Sequence, residues 1–182
     1  MGATWDARYR ESQGPAEPAE LLTEFAHLLP TYGRALDIAC GNGRNSVWLA
    51  QRGLDVVAVD ISADALRLGR ELAARHGCSV TWLQADVETF QFEANAYELI
   101  VCFNYRSPIL YPRILRSLRP GGWVVLETHT LDQLQFQSGP RNPEHMLRPG
   151  ELLGAFADLR IAFFREVTDS RAVASIVAQK EQ

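Results

Sequence analysis

The feature that most restricts the fold of this sequence is a regular alternation of short apolar runs with helix-forming segments. Five apolar runs, several of them rich in β-branched residues, predict buried strands at 35–39, 54–59, 80–83, 99–103 and 123–127. Helical patterns separate most of them, at 45–51, at 62–77 between an N-cap serine and a glycine, and at 109–118. The alternation predicts an α/β domain with a mainly parallel sheet, doubly wound because crossovers are right-handed.

The two ends of the chain depart from this alternation. Apolar residues at helical spacing predict an amphipathic helix over 15–30, so residues 1–30 are expected to form an N-terminal lid segment and helix. Residues 31–182 are expected to form the ligand-binding part of what is one domain overall. Near the other end, 128–148 predicts a long polar loop, 149–156 a short helix, and 160–166 and 172–178 an antiparallel hairpin.

Composition narrows the class of protein. The 182 residues carry a net charge of −4 and contain no run of Lys or Arg, which counts against nucleic acid as a partner. The apolar runs are too short to cross a bilayer, and the first twenty residues do not resemble a secretory signal. We therefore expect a cytoplasmic protein. Its three cysteines, Cys40, Cys78 and Cys102, are too widely spaced to predict a disulfide framework or a metal site.

Polar residues follow the strands at the points where ligands bind in such sheets. Asp37, Asp60, Asp86 and Asn104 all fall at or near predicted carboxyl ends of strands. In open α/β sheets, ligands bind at that edge, beside the switch in strand order. The sequence therefore predicts a ligand-binding crevice there.

A glycine turn links the first strand to the next helix. Gly41 and Gly43 allow close approach of a ligand to the backbone, and free N–H groups at the helix start favour an anionic group, although a tight turn alone would also need glycine. Asp60 suits a ribose, because one carboxylate can accept hydrogen bonds from two vicinal hydroxyls. Asp86 suits an adenine edge, or equally a turn.

Together these motifs resemble the class I S-adenosylmethionine-dependent methyltransferases over most of the chain. The turn at 118–122 (LRPGG) and the closing hairpin fit that family, whose Rossmann-like, seven-stranded sheet has the order 3-2-1-4-5-7-6. The opening segment 5–9 (WDARY) is similar to that of the bacterial small-molecule group that includes tellurite-resistance and thiopurine-type methyltransferases. One departure is Ala39, which stands where the family has its first glycine.

The resemblance implies S-adenosylmethionine as cofactor and a role for each matching residue. Asp37 would orient the glycine loop and the methionine ammonium, Asp60 would bind the ribose, and Asp86 the adenine amino group. The resemblance implies further cofactor contacts at Ala39, Gly41, Gly43, Asn45, Ile61, Val87 and Asn104.

The methyl acceptor is less well defined. An in-line displacement on a sulfonium mainly requires a well-positioned nucleophile and the exclusion of water. Candidates for the acceptor side are Tyr9, Asn104, Tyr105, Arg106, His129 and Arg141, with His129 as a base and Arg141 as a binder of an anionic group.

Two alternatives remain open at this point. A nicotinamide-dependent oxidoreductase would also use the glycine turn and Asp60, but Ser46 stands where its fingerprint has a third glycine. A non-catalytic protein that binds S-adenosylmethionine is the other. The leading prediction is a methyltransferase acting on a small molecule, as a monomer or homodimer.

Overall fold

The computed structural model describes residues 2–12 and 14–182, so Met1 and Gln13, both within the predicted lid segment, lie outside the described residues. Its helices are α1 Gly2–Glu11, α2 Glu20–Glu24, α3 Arg44–Gln51, α4 Ala63–Arg75, α5 Tyr111–Ser117 and α6 Glu151–Ala155. Its strands are β1 Arg34–Ile38, β2 Asp55–Asp60, β3 Thr81–Gln84, β4 Tyr97–Phe103, β5 Leu118–His129, β6 Arg160–Thr168 and β7 Ala172–Gln179. Short 3₁₀ helices cover Pro108–Leu110, Leu131–Gln135 and Pro143–His145.

The seven strands form one sheet in the order β3-β2-β1-β4-β5-β7-β6. Strands β1 to β5 pair in parallel, and β7 pairs antiparallel with both β5 and β6. The predicted α/β fold, its strand order and its closing antiparallel hairpin are confirmed. The order reverses between β1 and β4, which places the expected crevice at the carboxyl ends of those two strands.

Alternate residues of the central strands enter two apolar cores. On β4, Ile100 and Cys102 belong to the core that contains α5 and α6, whereas Val101 packs on the opposite face. That opposite core contains α2 and α3. Because both faces of β4 are covered, the strand reads as a continuous apolar run rather than an alternating one.

The helix predicted over 15–30 is much shorter in the structure. Only Glu20–Glu24 is α-helical, and the following residues turn with i to i+3 hydrogen bonds, such as that from Leu28 N–H to the carbonyl of Phe25. Before the helix, Ala19 is extended and donates its N–H to Asn45. The predicted apolar residues are nevertheless buried, because Leu21, Leu22 and Leu29 fill one core.

The boundary between α5 and β5 also differs from the prediction. The segment Pro120-Gly121-Gly122 lies inside β5 as an irregularity rather than forming a turn before it, since Leu118 already pairs with Tyr97 of β4. Gly122 is required there, because a Cβ would lie 2.9 Å from the carbonyl oxygens of Arg119 and Tyr97. The predicted helix 109–118 therefore begins as a 3₁₀ turn and ends at Ser117.

Two further expectations concern the whole chain. All three cysteines are free thiols, with Cys40 and Cys102 buried and Cys78 half-buried, as small apolar residues would be. Among the described residues, no helix is long and apolar enough to cross a membrane.

Candidate active site

The loop after β1 forms a tight left-handed turn. Ala39, Gly41 and Gly43 have φ values of 54°, 55° and 74°. The glycines tolerate this region freely, whereas the Cβ of Ala39 makes it costly. Ala39 thus occupies a backbone conformation that explains the family's glycine at this position.

The two glycines of the loop serve different contacts. A Cβ on Gly43 would lie 2.3 Å from the ring of Trp82 and 3.2 Å from the backbone of Gly69, so helix α3 packs here against β3 and α4. A Cβ on Gly41 would instead lie 2.3 Å from the Tyr9 hydroxyl. Gly43 is therefore required by packing, while Gly41 faces Tyr9 of α1.

Asp60, at the end of β2, holds the glycine loop. One carboxylate oxygen accepts from the N–H of Gly41 at 2.8 Å, and the other accepts from the N–H of Ser62 at 2.9 Å. Burial raises the pKa of this carboxyl, and these backbone hydrogen bonds oppose the rise. Because each carboxylate oxygen can accept a second bond, Asp60 retains capacity for ligand hydroxyls.

Asp37 is the most deeply buried acid of the site. It is 1% exposed, and its Oδ2 atom accepts from the Ser46 hydroxyl at 2.6 Å. Burial raises its pKa to about 7, with a smaller contribution from the charge of Asp60. A positively charged ligand group beside Asp37 would stabilise its ionised form.

Helix α1 docks over the start of α4 and covers the loop. Asp6 accepts from the Ser62 hydroxyl at 2.6 Å, and Arg10 pairs with Asp64 at 2.8 Å. Tyr9 lies between this helix and Gly41, and burial with the nearby charge of Asp60 raises the pKa of its phenol to about 12. The structure therefore places Tyr9 against the glycine loop, beside the predicted cofactor site.

The segment before α2 is tied to the same loop. Asn42 donates to the carbonyl of Pro15, Arg44 donates to the carbonyl of Glu17, and Asn45 accepts from Ala19 N–H, each at 2.8 Å. Asn45, predicted as a cofactor contact, is 4% exposed and anchors the N-terminal segment. Ile61, also predicted as a cofactor contact, lies next to Gly2 at the start of α1. Its carbonyl accepts a hydrogen bond from the side-chain amide of Gln84.

The region after β3 forms a turn around Asp86. Its carboxylate accepts from the N–H of Glu88 at 2.9 Å, which is the turn role that the sequence left open. Val87 is buried in the core, and the Tyr105 hydroxyl bonds to Glu88 at 3.3 Å. Burial and the charge of Glu88 raise the pKa of Tyr105, so this phenol stays protonated.

The end of β5 carries a polar cluster beside Asn104. Asn104 has a φ of 57°, and its N–H donates to the carbonyl of Glu127. The Glu127 carboxylate is 8% exposed; it accepts from Ser175 at 2.6 Å and from Arg171 at 3.2 Å, and Arg165 lies 3.7 Å away. One buried acid is thus surrounded by more positive charge than it carries.

His129 lies two residues further along β5. Its Nδ1 atom is 3.1 Å from the side-chain oxygen of Gln133, which is 2% exposed. The histidine itself is half-buried at the carboxyl edge of the sheet. Its role as an acceptor-side group stays a prediction.

With this geometry established, comparisons with known proteins identify the family. Residues 35–122, from β1 into β5, match a family model described as a methyltransferase domain. Together with the relatives and the fold described next, this match supports a class I S-adenosylmethionine-dependent methyltransferase.

Individual relatives are distant. The chain is 27% identical over 139 residues to a ubiquinone biosynthesis O-methyltransferase of Bordetella avium, covering 65% of this chain and 58% of that protein. It is 34% identical over 99 residues to a demethylmenaquinone methyltransferase of Clavibacter sepedonicus, covering 51% and 40%. The chain thus spans between two fifths and three fifths of the length of these curated relatives.

The fold has close counterparts among solved structures. TehB from Haemophilus influenzae superposes with a TM-score of 0.76 at 19% identity, covering 97% of this chain and 66% of that one. At this identity the likeness is one of fold. It supports the methyltransferase topology and leaves the acceptor to be argued from residues.

S-adenosylmethionine is the family's cofactor, and the residues present fit it. A buried acid with a pKa of about 7 suits a cationic amino-acid moiety, and an acid with spare acceptor capacity suits a ribose. Asp37 and Asp60 would hold these two parts of the cofactor. The contacts predicted at Ala39, Gly41, Gly43, Asp86 and Val87 stay predictions.

Two arginines proposed for the acceptor side have other partners. Arg106 makes a bidentate pair with Glu151 at 2.8 and 2.9 Å and also donates to the carbonyl of Glu144, so it clamps α6 to the 128–148 segment. Arg141 is exposed and donates to the carbonyl of Leu134 at 3.3 Å. The long segment is therefore more structured than its polar sequence indicated.

The sequence analysis overlooked the Glu127 cluster and Gln133. Glu127 is the last residue of the predicted fifth strand, and that position at its carboxyl end was the available signal. Its partners Arg165 and Arg171 lie more than thirty residues away, so only strand pairing brings them together. A wide depression of about 700 Å³, lined by Gln51, His76 and Cys78 among others, lies at the opposite edge of the sheet and is not part of the site.

Proposed function

We propose that this protein catalyses methyl transfer from S-adenosylmethionine to a small-molecule acceptor in the cytoplasm. The observation that carries the proposal is the pairing of Asp60 with the Gly41 backbone at the end of β2, next to buried Asp37 at the end of β1. Two acids at adjacent strand ends, joined through a glycine loop, suit a ligand with vicinal hydroxyls and a positive charge. A nicotinamide dinucleotide would bring phosphates towards the same two acids, which is electrostatically unfavourable.

Each part of the crevice has a role in this proposal. Asp60 would accept from the ribose hydroxyls, each such bond to a charged group contributing about 1.5–3 kcal/mol. Asp37 would hold the methionine ammonium, and Asp86 and Val87 would contact the adenine. Tyr9 would close the crevice above Gly41 and exclude water.

The chemistry requires little covalent help from the chain. The cofactor supplies an activated sulfonium methyl. The protein aligns the acceptor behind that methyl, and such positioning is worth about 7–11 kcal/mol of the barrier. Because β4 lies between β1 and β5 in the parallel part of the sheet, Asn104 and the end of β5 lie at the same carboxyl edge as the loop that follows Asp37, and an acceptor held at that edge would face the cofactor.

The Glu127 cluster indicates the kind of acceptor. Arg165 and Arg171 exceed the single charge of Glu127, and Arg44 lies within electrostatic range of Glu127. A small polar organic molecule with an anionic group would balance this charge. The chain's net charge of −4 makes a nucleic acid a less suitable acceptor.

Calorimetric titration with S-adenosylmethionine, S-adenosylhomocysteine and NAD tests the proposal. We expect the first two to bind and NAD not to bind, and Asp60→Ala to weaken binding at least about tenfold. The exposed Asp158→Ala is the matched control and should leave affinity unchanged. Binding of NAD alone would favour an oxidoreductase, and cofactor binding without methyl transfer to any acceptor would favour a non-catalytic binding protein.

A further inference from the structure

His129 ends β5 at the edge of the proposed crevice. It pairs with Val173 of β7, and the neighbouring strand β4 leads directly into Asn104. Glu127 and His129 are two residues apart on β5 and therefore lie on the same face of the sheet, since successive side chains of a strand point to opposite faces. The imidazole therefore lies at the carboxyl edge of the sheet, at the end of the strand that follows β4 in the sheet order.

The amide of Gln133 has only one satisfactory orientation. Its Oε1 atom accepts from the N–H of Ala172 at 2.9 Å, while its Nε2 atom donates to the carbonyl of Ser138 at 2.8 Å. Exchanging oxygen and nitrogen would set the amide NH₂ against the N–H of Ala172 and a carbonyl against a carbonyl. Because Gln133 is 2% exposed, such unsatisfied groups would be costly.

The orientation of Gln133 determines the tautomer of His129. Oε1 can only accept, so the His129 Nδ1 atom, 3.1 Å away, must carry the hydrogen. In a neutral imidazole the other nitrogen then holds the lone pair. The Nε2 atom of His129 is therefore a proton acceptor. The orientation of the ring is set by Gln133, a buried side chain whose amide oxygen and nitrogen are both hydrogen-bonded.

We infer that His129 is the general base for an acceptor that carries a hydroxyl group, and that Gln133 is its positioning residue. This inference rests on the proposed methyl transfer. In the step, the acceptor oxygen forms a bond to the methyl carbon as the carbon–sulfur bond breaks. The hydroxyl proton passes to His129 Nε2, leaving S-adenosylhomocysteine, the methyl ether and an imidazolium that releases its proton to water.

The first test measures the tautomer itself. Nitrogen-15 NMR of the full-length protein at alkaline pH, where the imidazole is neutral, should show His129 protonated on Nδ1 and unprotonated on Nε2. Gln133→Leu should remove this preference, whereas Gln133→Glu should keep it, since a carboxylate also accepts from Nδ1. An Nε2-protonated ring in the unaltered protein would overturn the inference.

The second test compares an acceptor that must lose a proton with one that is already ionised. With 4-hydroxybenzoate, a phenol that carries the proposed anionic group, as acceptor, His129→Gln should lower the rate of S-adenosylhomocysteine formation about 100-fold or more. With hydrosulfide, which is anionic at pH 8, the same variant should stay within about threefold of the unaltered protein. Exposed His27, near Arg52 at the opposite edge of the sheet, gives the control His27→Gln, which should change neither rate.

The outcomes separate this inference from the proposed function. Equal losses on both acceptors, or methylation of hydrosulfide but not 4-hydroxybenzoate by the unaltered protein, would exclude His129 as the base while leaving methyl transfer intact. A protein that binds the cofactor but methylates neither of these acceptors, nor any of a broader panel of hydroxyl, thiol and amine acceptors, would contradict the proposed function instead. Unchanged cofactor affinity and melting temperature in His129→Gln show that this variant folds. For Gln133→Glu, unchanged cofactor affinity shows it, since the carboxylate loses the hydrogen bond to the Ser138 carbonyl and should lower the melting temperature.

Discussion

The Oδ2 atom of Asp60 lies 2.8 Å from the backbone nitrogen of Gly41, so the end of β2 directly supports the loop that follows β1. Because the other carboxylate oxygen accepts from Ser62, one side chain joins two loops that line the crevice. Ser62 in turn caps α4 by accepting from the N–H of Ala65 at 3.1 Å. The proposed cofactor site and the start of α4 are therefore linked through hydrogen bonds of Asp60 and Ser62.

This coupling predicts that Asp60→Asn lowers both affinity and stability. An asparagine can keep only one of the two backbone hydrogen bonds as acceptor, and a hydrogen bond to a charged group is worth about 1.5–3 kcal/mol. We expect cofactor affinity to fall about tenfold and the free energy of unfolding to fall by about 1–2 kcal/mol. Urea denaturation with and without S-adenosylmethionine measures both, and a variant of unchanged stability would show that the loop does not need this support.

The raised pKa of Asp37 leads us to expect that the stability of the folded protein depends on pH. Burial raises the pKa of this carboxyl from its ordinary value of 3.8 to about 7, so the folded protein binds a proton that the unfolded chain releases above its own pKa. The contribution of this protonation is fully present below about pH 4 and is lost as pH rises towards 7. Relative to Asp37→Asn, the unaltered protein should therefore lose stability between pH 4 and pH 7, as measured by urea denaturation across that range. A constant difference between the two proteins would contradict the prediction.

The sheet and the acids at its edge could be predicted from sequence because both depend on local patterns. Apolar runs mark buried strands; Asp60 is the last residue of β2, and Asp37 lies one residue before the end of β1. The docking of α1 could not be predicted, since it rests on contacts such as Asp6 with Ser62, 56 positions apart. Likewise, the role of Gln133 depends on hydrogen bonds to Ala172 and His129 that no local pattern encodes.

Cofactor binding should release a proton near neutral pH. The methionine ammonium placed beside Asp37 would stabilise the carboxylate and lower its pKa from about 7. Affinity for S-adenosylmethionine should therefore increase between pH 6 and pH 8. Titration in two buffers with different ionisation enthalpies counts the protons, and Asp37→Asn should abolish the release; an equal release from that variant would assign it to another group.

The positive φ of Ala39 leads us to expect that replacing this residue by glycine stabilises the protein. An L-residue in the left-handed region costs about 1–2 kcal/mol, and glycine recovers this at an entropic cost of about 0.5–1 kcal/mol. Ala39→Gly should therefore raise the free energy of unfolding by about 0.5–1 kcal/mol. The control Ala74→Gly, at an exposed position inside α4, should lower it by about 1 kcal/mol. If both substitutions destabilised the protein equally, the positive φ of Ala39 would not be a source of strain.

The two loop glycines should respond differently to the same substitution. In Gly41→Ala the new methyl meets the hydroxyl of Tyr9, the far end of a side chain that can swing away, whereas in Gly43→Ala it meets the Trp82 ring and the backbone of Gly69. Gly43→Ala should therefore cause the larger loss of stability, and Gly41→Ala should displace the lid and weaken cofactor binding. Trypsin cleavage after Arg8 and Arg10 of α1 reports that displacement, and adding Tyr9→Phe to Gly41→Ala should partly restore the protection, because the hydroxyl is the atom that collides. Equal proteolysis of the two alanine variants would mean that Tyr9 does not rest on Gly41 in solution.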